Sequence, residues 1–501
     1  MAAILLAGAA LLAAHGATHP SIAWFLIVAR TWSEGATLYL DIRDLNLPFT
    51  HLLFRAAHEL GEGLALAPHR AFYLLVAGWF LATLGLTAGL LRRLAAWAAW
   101  QAALLAAGAV GILACWPLGI AGERDHLALL GFLPYLAASW RRLSGPAPAT
   151  GPALVAGLMA TPGLVMRPYL LAVPLMIELY LLLRAPRARR WRSLFRPETG
   201  GLCLGLLLLG GLPLLLYPAF LERVAAIGWL YAGLDLGTAP ARLWFLLGGL
   251  SLLLGLGWRG AAPWLQPATL LAVAALGVVV STLLQGRWQD YHLAPAEMLG
   301  LLAALLALAL SSRPAAARSG SSRRALAVAA LLLALSALGW AGLGGYRQLR
   351  IHHLSSADPY PPGTRALAAL LDGEAAGRTV AILAYDGFDF LPAVYLSRAA
   401  WALQDETQYL LGAFYVRQRQ GRFDAATQAA AATLRREVLD RLVAAPPRLI
   451  GIYRGGAEQG PYPEVQDIAA FYGEDPRFAA LLDGYAEVAT LQGITYFRRR
   501  E

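Results

Sequence analysis

The chain has 501 residues, 58% of them hydrophobic and 14% charged, against about 45–50% and about 25% in ordinary soluble domains. That balance excludes a disordered, collagenous or purely water-soluble protein and points to a polytopic membrane protein. All 41 basic residues are arginine, and they exceed the 31 acids to give a net charge of +10. Where the arginines lie must therefore separate a nucleic-acid binder from a membrane protein.

Apolar runs occur near 2–17, 71–91, 95–117, 126–140, 152–165, 168–184, 200–219, 241–258, 263–284, 293–310 and 325–345. Crossing a hydrocarbon core takes about 20 apolar residues, so these runs predict about eleven spans. The runs at 2–17, 126–140 and 152–165 are short enough to be tilted or half-crossing. The first run lacks a basic leading region, and Ala14-His15-Gly16-Ala17 is a poor cleavage site, so it is expected to be a retained helix. With an inner N-terminus, the inner connections carry Arg92, Arg93, Arg141, Arg142, the run Arg184 to Arg196, Arg259 and the segment Arg313 to Arg324. Those connections hold 15 of the 24 arginines before residue 346 and one acid, Glu198. The positive-inside rule fixes this orientation and explains most of the basic excess without nucleic acid. Cys115 and Cys203, the two cysteines, lie inside apolar runs, so no disulfide framework or thiolate metal site is readable.

After residue 345 the composition changes: 17 arginines face 18 acids, and no run is long enough to span. The expected organisation is a transmembrane domain over 1–345 and an extracytoplasmic α/β domain over 346–501. Thr379 to Ala384, Arg448 to Tyr453 and Val488 to Phe497 read as strands, the last as a strand or hairpin. Helical periodicity runs near 396–419, 424–443 and 464–482, and Pro359, Pro361 and Pro362 mark the linker.

Ionisable groups at a membrane edge are costly and so suggest function. Four clusters fall on the outer side of this threading. The first follows span one. Ile22 to Trp32 reads as an amphipathic helix in the interface plane or an ordinary connector, and then come Asp41, Asp44 and Asn46. The second is Glu123-Arg124-Asp125-His126, in a short loop between spans. The third is Arg167-Pro168-Tyr169, where the arginine either binds a ligand or snorkels to headgroups. The fourth is Arg287 to His292, whose Trp288 and Tyr291 suit an aromatic belt equally well.

Taken in order, Gly35-x-x-Leu38-Tyr39-x-Asp41-x-x-x-x-Asn46-x-Pro48, Arg124-Asp125-His126-Leu127, Arg167-Pro168-Tyr169 with Glu178, and Gln285-Gly-x-x-x-x-Tyr291-His292 resemble a bacterial GT-C class polytopic glycosyltransferase. This is the group related to protein O-mannosyltransferases and aminoarabinose transferases. The resemblance covers most of residues 15 to 300 and extends to the tail near 386–415. It implies a multi-pass enzyme of the bacterial cytoplasmic membrane, its tail on the outer side. Such an enzyme moves a sugar from a polyprenyl-phosphate donor to a glycan, lipid or protein acceptor with inversion.

That reaction needs a carboxylate to take the acceptor's proton and cations to steady the departing phosphate. Asp41, Asp44 and Asp125 are the candidate bases or base-orienters. Arg124, Arg167, Arg287 and His292 are the candidate phosphate ligands, with Glu123, His126, Asn46 and Tyr169 in support. Where relatives usually carry an acid, this chain reads His19-Pro20-Ser21, and only Pro48 follows the Asn of the first loop. No resident metal is indicated, although two carboxylates near a phosphate leave room for a bridging divalent cation. The competing readings are a transporter or flippase for a lipid-linked glycan, and an inactive scaffold with the same fold.

Overall fold

A computed structural model describes the chain apart from residues 1, 17, 93–97, 187–190, 232–239, 259–264, 286–289, 312–331, 333–335, 337, 340–359, 361, 386–389, 407–408 and 455–467. The described chain is mostly helical with one small C-terminal sheet. It divides into two compact units: the first takes Met1–His15, Arg70–Pro213 and Gly237–Ile351, the second Gly16–His69, Leu214–Leu236 and His352–Glu501. The break expected at 345/346 lies outside the described residues. Two segments assigned to the transmembrane domain, 16–69 and 214–236, belong instead to the same unit as the tail.

In the first unit each of ten apolar runs coincides with helix; the eleventh, 325–345, lies largely outside the described residues. In chain order the helices of the whole molecule begin with α1 (Ala2–Ala13), α2 (Pro20–Ser33), α3 (Pro48–Gly63), α4 (Pro68–Leu91), α5 (Ala99–Cys115) and α6 (Arg124–Ser144). Then come α7 (Thr150–Met166), α8 (Ala172–Arg184), α9 (Pro197–Leu216), α10 (Pro218–Tyr231), α11 (Arg242–Trp258), α12 (Gln266–Gln285) and α13 (Asp290–Ser311). Among the described residues four helices are long and apolar enough to cross a membrane: α4, α9, α12 and Tyr291–Leu310 within α13. α1, α5, α7 and Arg242–Gly255 of α11 are apolar but shorter.

Glycines set the tightest helix contacts. A β-carbon on Gly157 would fall 1.9 Å from the Glu198 carbonyl oxygen, and one on Gly201 would fall 2.1 Å from that of Leu154. α7 and α9 therefore touch backbone to backbone, the close approach that small residues permit between apolar helices. Where these helices meet α6 and α8, a buried polar ladder runs from Tyr135 through Glu178, Arg196 and Glu198 to Arg142. Glu198 is fully buried, and its second oxygen accepts from Arg142 Nη2 at 2.8 Å. Arg142 and Arg196 thus act as structural ties.

The second unit has the sheet order β2-β1-β3-β5-β4, with β1 (Thr379–Leu383), β2 (Ala400–Trp401), β3 (Leu449–Tyr453), β4 (Tyr485–Leu491) and β5 (Ile494–Arg499). β1 pairs in parallel with β2 and β3, while β5 is antiparallel to β3 and β4. The β4–β5 hairpin turns on Gln492 and Gly493, both at positive φ. The expected helix over 396–419 is instead a short helix Leu391–Leu396, strand β2 and a helix Tyr409–Arg419; parallel pairing of Ala400 and Trp401 with β1 overrides the helical pattern. The region 464–482 breaks into Ile468–Gly473 and Pro476–Leu482, because Pro476 can only begin a helix.

The amphipathic reading of α2 is corrected. Ile22 to Ala29 are buried without interruption, so this helix is a core element of the second unit rather than one floating at an interface. α2 packs on α3 and on Leu391–Leu396; Trp24 meets Trp401 edge-on at 6.5 Å, and Arg30 Nη2 donates to the Ala399 carbonyl at 2.9 Å.

A polar seam joins the three segments of this unit. The Arg43 N–H donates to the Gln404 carbonyl at 2.7 Å, its guanidinium pairs with Glu437, and Arg223 of α10 pairs with Asp405 at 3.1 Å. Burial pushes the Asp405 carboxyl up to about 6, with Arg223 and Arg43 opposing the rise only in part.

Two outcomes follow. Glu198→Ala leaves buried arginines without their carboxylate and should cost about 3–5 kcal/mol, read as a large fall in the thermal midpoint of the reconstituted protein. For Asp405, the folded state holds a proton more tightly than the unfolded chain between about pH 4 and 6, so its contribution to stability rises as pH falls through 6 and is complete below 4. Asp405→Asn should therefore gain relative to wild type at pH 7.5 compared with pH 4.5, by on the order of 2–3 kcal/mol in denaturation measured at both pH values.

Candidate functional site

The first unit holds seven of the residues singled out from sequence: Glu123, Arg124, Asp125, His126, Arg167, Tyr169 and His292. α6 begins at Arg124, with Glu123 as its N-cap and Asp125 in its first turn, where a carboxylate complements the helix dipole. Antiparallel to it, α7 ends at Met166, because Pro168 denies the next helical hydrogen bond. Glycines set the register: a β-carbon on Gly131 would lie 2.4 Å from the Met159 carbonyl oxygen, and one on Gly163 would lie 2.2 Å from Ala128 Cα. Continuing that pairing by one turn puts Arg167 across from Asp125.

There the Arg167 Nε sits 2.9 Å from Asp125 Oδ2, with Glu123 4.0 Å from Nη2. The guanidinium also lies over the rings of Tyr169 and Tyr291, at 5.7 and 5.6 Å. The Tyr169 hydroxyl donates to Asp125 Oδ1 at 2.7 Å and lies 2.9 Å from His292 Nδ1. Since its hydrogen goes to the carboxylate, the hydroxyl accepts from His292 Nδ1–H. α12 holds both partners: Ser281 Oγ donates to the Tyr169 carbonyl at 2.9 Å, and Thr282 Oγ1 to that of His292 at 3.4 Å. Asp125 is fully buried, Arg167 is 7% exposed and Arg124, beside them, 6%.

His126 has a different task. Its Nδ1 accepts from the Gly122 N–H at 3.1 Å and its Nε2 donates to the Leu113 carbonyl at 2.8 Å, so both ring nitrogens are spent on bracing the loop. Gly122 has φ +81°, and a β-carbon there would meet Phe72 at 2.7 Å, which explains glycine at this turn. Arg287 lies outside the described residues.

The second unit holds Asp41, Asp44 and Asn46. Asp44 is buried; Oδ1 accepts from the Asn46 backbone N–H at 2.7 Å and side-chain N–H at 2.5 Å, and Oδ2 accepts from Trp24 Nε1 at 2.7 Å with His51 Nε2 3.6 Å away. A carboxylate has about four lone-pair sites, and three hydrogen bonds take three of them, so Asp44 organises the loop leading into α3. Asp41 is exposed; Oδ2 caps the Thr37 N–H at 2.8 Å, while Oδ1 makes no hydrogen bond among the described residues. His19 caps α2, its Nδ1 accepting from the Ser21 N–H.

Sequence reading passed over Trp24 and His51 around Asp44, and Ser281 behind Tyr169. It also passed over Tyr39 as a strained residue: φ is +69°, and its ring packs against Phe220 and Tyr217 at 5.1 and 6.0 Å. Burial and the neighbouring Asp44 charge raise the Tyr39 hydroxyl well above its usual range, so it stays protonated and donates to the Asn46 carbonyl at 2.6 Å. A bulky residue at positive φ was visible in sequence only as Gly35-x-x-Leu38-Tyr39, which announces a turn but not its handedness.

Asp125→Ala should destabilise the protein by about 3–5 kcal/mol by stranding Arg167, whereas Tyr169→Phe should cost about 1–3 kcal/mol. Thermal melts of the two variants in the same lipid check the order. Set against models of known protein families and against curated proteins, the chain matches none.

Proposed function

We propose that the chain is an integral-membrane glycosyltransferase of GT-C-like architecture, with about eleven spans, an inner N-terminus and an outer tail. It moves a sugar from a polyprenyl-phosphate donor to a glycan, lipid or protein acceptor. The observation that carries this reading is the buried Asp125–Arg167–Tyr169–His292 network at one end of the apolar helices. Its polar ladder of arginines sits at the other end of α6, at Arg142.

In such a transfer the acceptor oxygen attacks the anomeric carbon, the bond from that carbon to the phosphate oxygen breaks, and the electron pair leaves with the phosphate. Inversion follows from the single displacement. A guanidinium fixed in advance in a low-dielectric setting is suited to the charge that develops on the phosphate. In this reading Arg167 binds that phosphate with Arg124, Arg287 and His292, and Asp125 and Glu123 orient Arg167. Asp125 is then a positioning residue, because its oxygens are engaged by Arg167 and Tyr169. For the acceptor's proton, Asp44 is poorly suited and Asp41 has the open oxygen.

A transporter needs functional polar groups near the bilayer midplane, where Glu178 and Glu297 would stand. Each is engaged by an arginine, Glu178 by Arg196 and Glu297 by Arg242 at 3.0 Å, which favours structural roles for both.

The test incubates purified protein in lipid nanodiscs with a panel of polyprenyl-phosphate sugars, with and without a chelator, and follows free polyprenyl phosphate by mass spectrometry. Release should fall by about 10²–10³-fold in Arg167→Gln with partial recovery in Arg167→Lys, and Asp41→Asn should lose more activity than Asp44→Asn in variants of unchanged melting temperature. Absence of release with every donor, or release indifferent to Arg167, overturns the proposal.

A further inference from the structure

The first unit contains a second feature that the transfer reaction does not use. A cavity of about 750 Å³ lies between α1, α4, α5, α6, α12 and α13. Its walls are apolar except for Thr87, whose hydroxyl is spent on the Thr83 carbonyl at 2.7 Å, the Trp140 indole N–H, and Arg92. The Arg92 side chain has no partner among the described residues.

The α6 wall is the stripe Leu133, Leu136, Ala137 and Trp140. Arg141 follows Ala137 by four residues and so continues that face one turn further on. It is only 8% exposed, and its Nε, sealed from solvent, makes no hydrogen bond among the described residues. A guanidinium whose Nε is shut off from water, and which meets no carboxylate among the described residues, favours an anion beside it.

The cavity's length identifies the anion's carrier. It runs along α4 from Leu84 to Arg92, about 12 Å at helical rise, and along α5 from Ala102 to Leu113, about 16 Å. That is half of a hydrocarbon core about 30 Å thick, the reach of one leaflet's acyl chain. A long polyprenyl chain exceeds it. Moreover, α6 separates Arg141 from Asp125 by 16 residues, about 24 Å, so a phosphate held here is remote from the Arg167 network.

We propose that this cavity is a resident site for an anionic phospholipid, one acyl chain lying against Gly85 and Gly89 and the headgroup phosphate bound by Arg92 and Arg141. Gly85 and Gly89 both line the cavity, and a β-carbon on either meets nothing within 4 Å. The two glycines leave room for a chain rather than admitting a neighbouring helix.

The experiment is photo-crosslinking of the full chain in phosphatidylcholine nanodiscs doped with phosphatidylglycerol carrying a diazirine on its acyl chain. Adducts are mapped by peptide mass spectrometry, a readout independent of sugar transfer. Adducts are expected on 84–92, 102–113 and 133–140, displaced by unlabelled phosphatidylglycerol and not by phosphatidylcholine. Arg92→Gln with Arg141→Gln should lower their yield by at least about tenfold, the loss of charge-assisted contacts to phosphate. Gly85→Leu with Gly89→Leu should abolish them without lowering the melting temperature, since the added side chains enter open space. Equal labelling by a diazirine phosphatidylcholine, adducts confined to the outer faces of the bundle, or displacement by polyprenyl phosphate in place of phosphatidylglycerol would each overturn the proposal.

Discussion

A carboxylate with no solvent exposure can stay ionised only if something answers its charge, and in the first unit that constraint governs the ends of several helices. Asp125 is answered by Arg167, Tyr169 and His292, and each of those needs its own anchor. Arg167 is placed by glycine contacts between α6 and α7 and by the proline that ends α7. Tyr169 and His292 are tied by their carbonyls to neighbouring hydroxyls on α12, and His126 is turned away from the network to brace the preceding loop. Losing one partner would leave a charge in a medium that cannot solvate it. The geometry is therefore rigid, with its dipoles and charges oriented in advance by their neighbours.

The second unit solves a different problem. Three stretches distant in sequence supply one core, and α2, buried along Ile22–Ala29, packs against the elements around β2. Tyr360 receives the Thr18 N–H at 3.2 Å, and Tyr395 receives the His69 N–H at 3.1 Å. Both ends of the segment 16–69 are thereby bound to the tail. The seam of Arg43, Arg223, Asp405 and Glu437 continues that attachment with charge, and the raised Asp405 carboxyl records how incompletely its cations repay its burial. What hydropathy treats as two outer loops and a separate domain is one folded body.

Much of the architecture was legible because it rests on local pattern. Apolar runs predicted helices at the right places, and the β-branched stretches Thr379–Leu383 and Leu449–Tyr453 formed the strands expected of them. The failures have physical causes. Ala400 and Trp401 became a strand because β1 offered an unpaired edge, which no local pattern reveals. α2 carries Arg30 and Trp32 near one end and looked amphipathic, yet its middle is enclosed by elements from nearly 400 residues away in the chain. Of the candidate site, the sequence singled out Asp125, Arg167, Tyr169 and His292 in three separate clusters, since ionisable residues beside apolar runs stand out, and the fold brings the four together. The sequence offered Asp44 as one of three candidate bases or base-orienters, and no local pattern shows that Trp24 and Asn46 donate to its oxygens.

Composition and hydropathic period carry the apolar, helix-rich character of the chain, the positions of most helices and strands, and the short list of polar residues on which chemistry could rest. Composition and period are properties of the chain and need no partner to be read. Tertiary structure alone decided which segments share a core, which carboxylates have lone pairs left and which arginines are answered. Those are properties of pairs, set by glycine-mediated helix contacts and by burial. Arg142 and Arg141 make the point side by side: adjacent in sequence and alike in composition, one closes a buried ladder with Glu198, and the other extends the stripe that lines an apolar cavity.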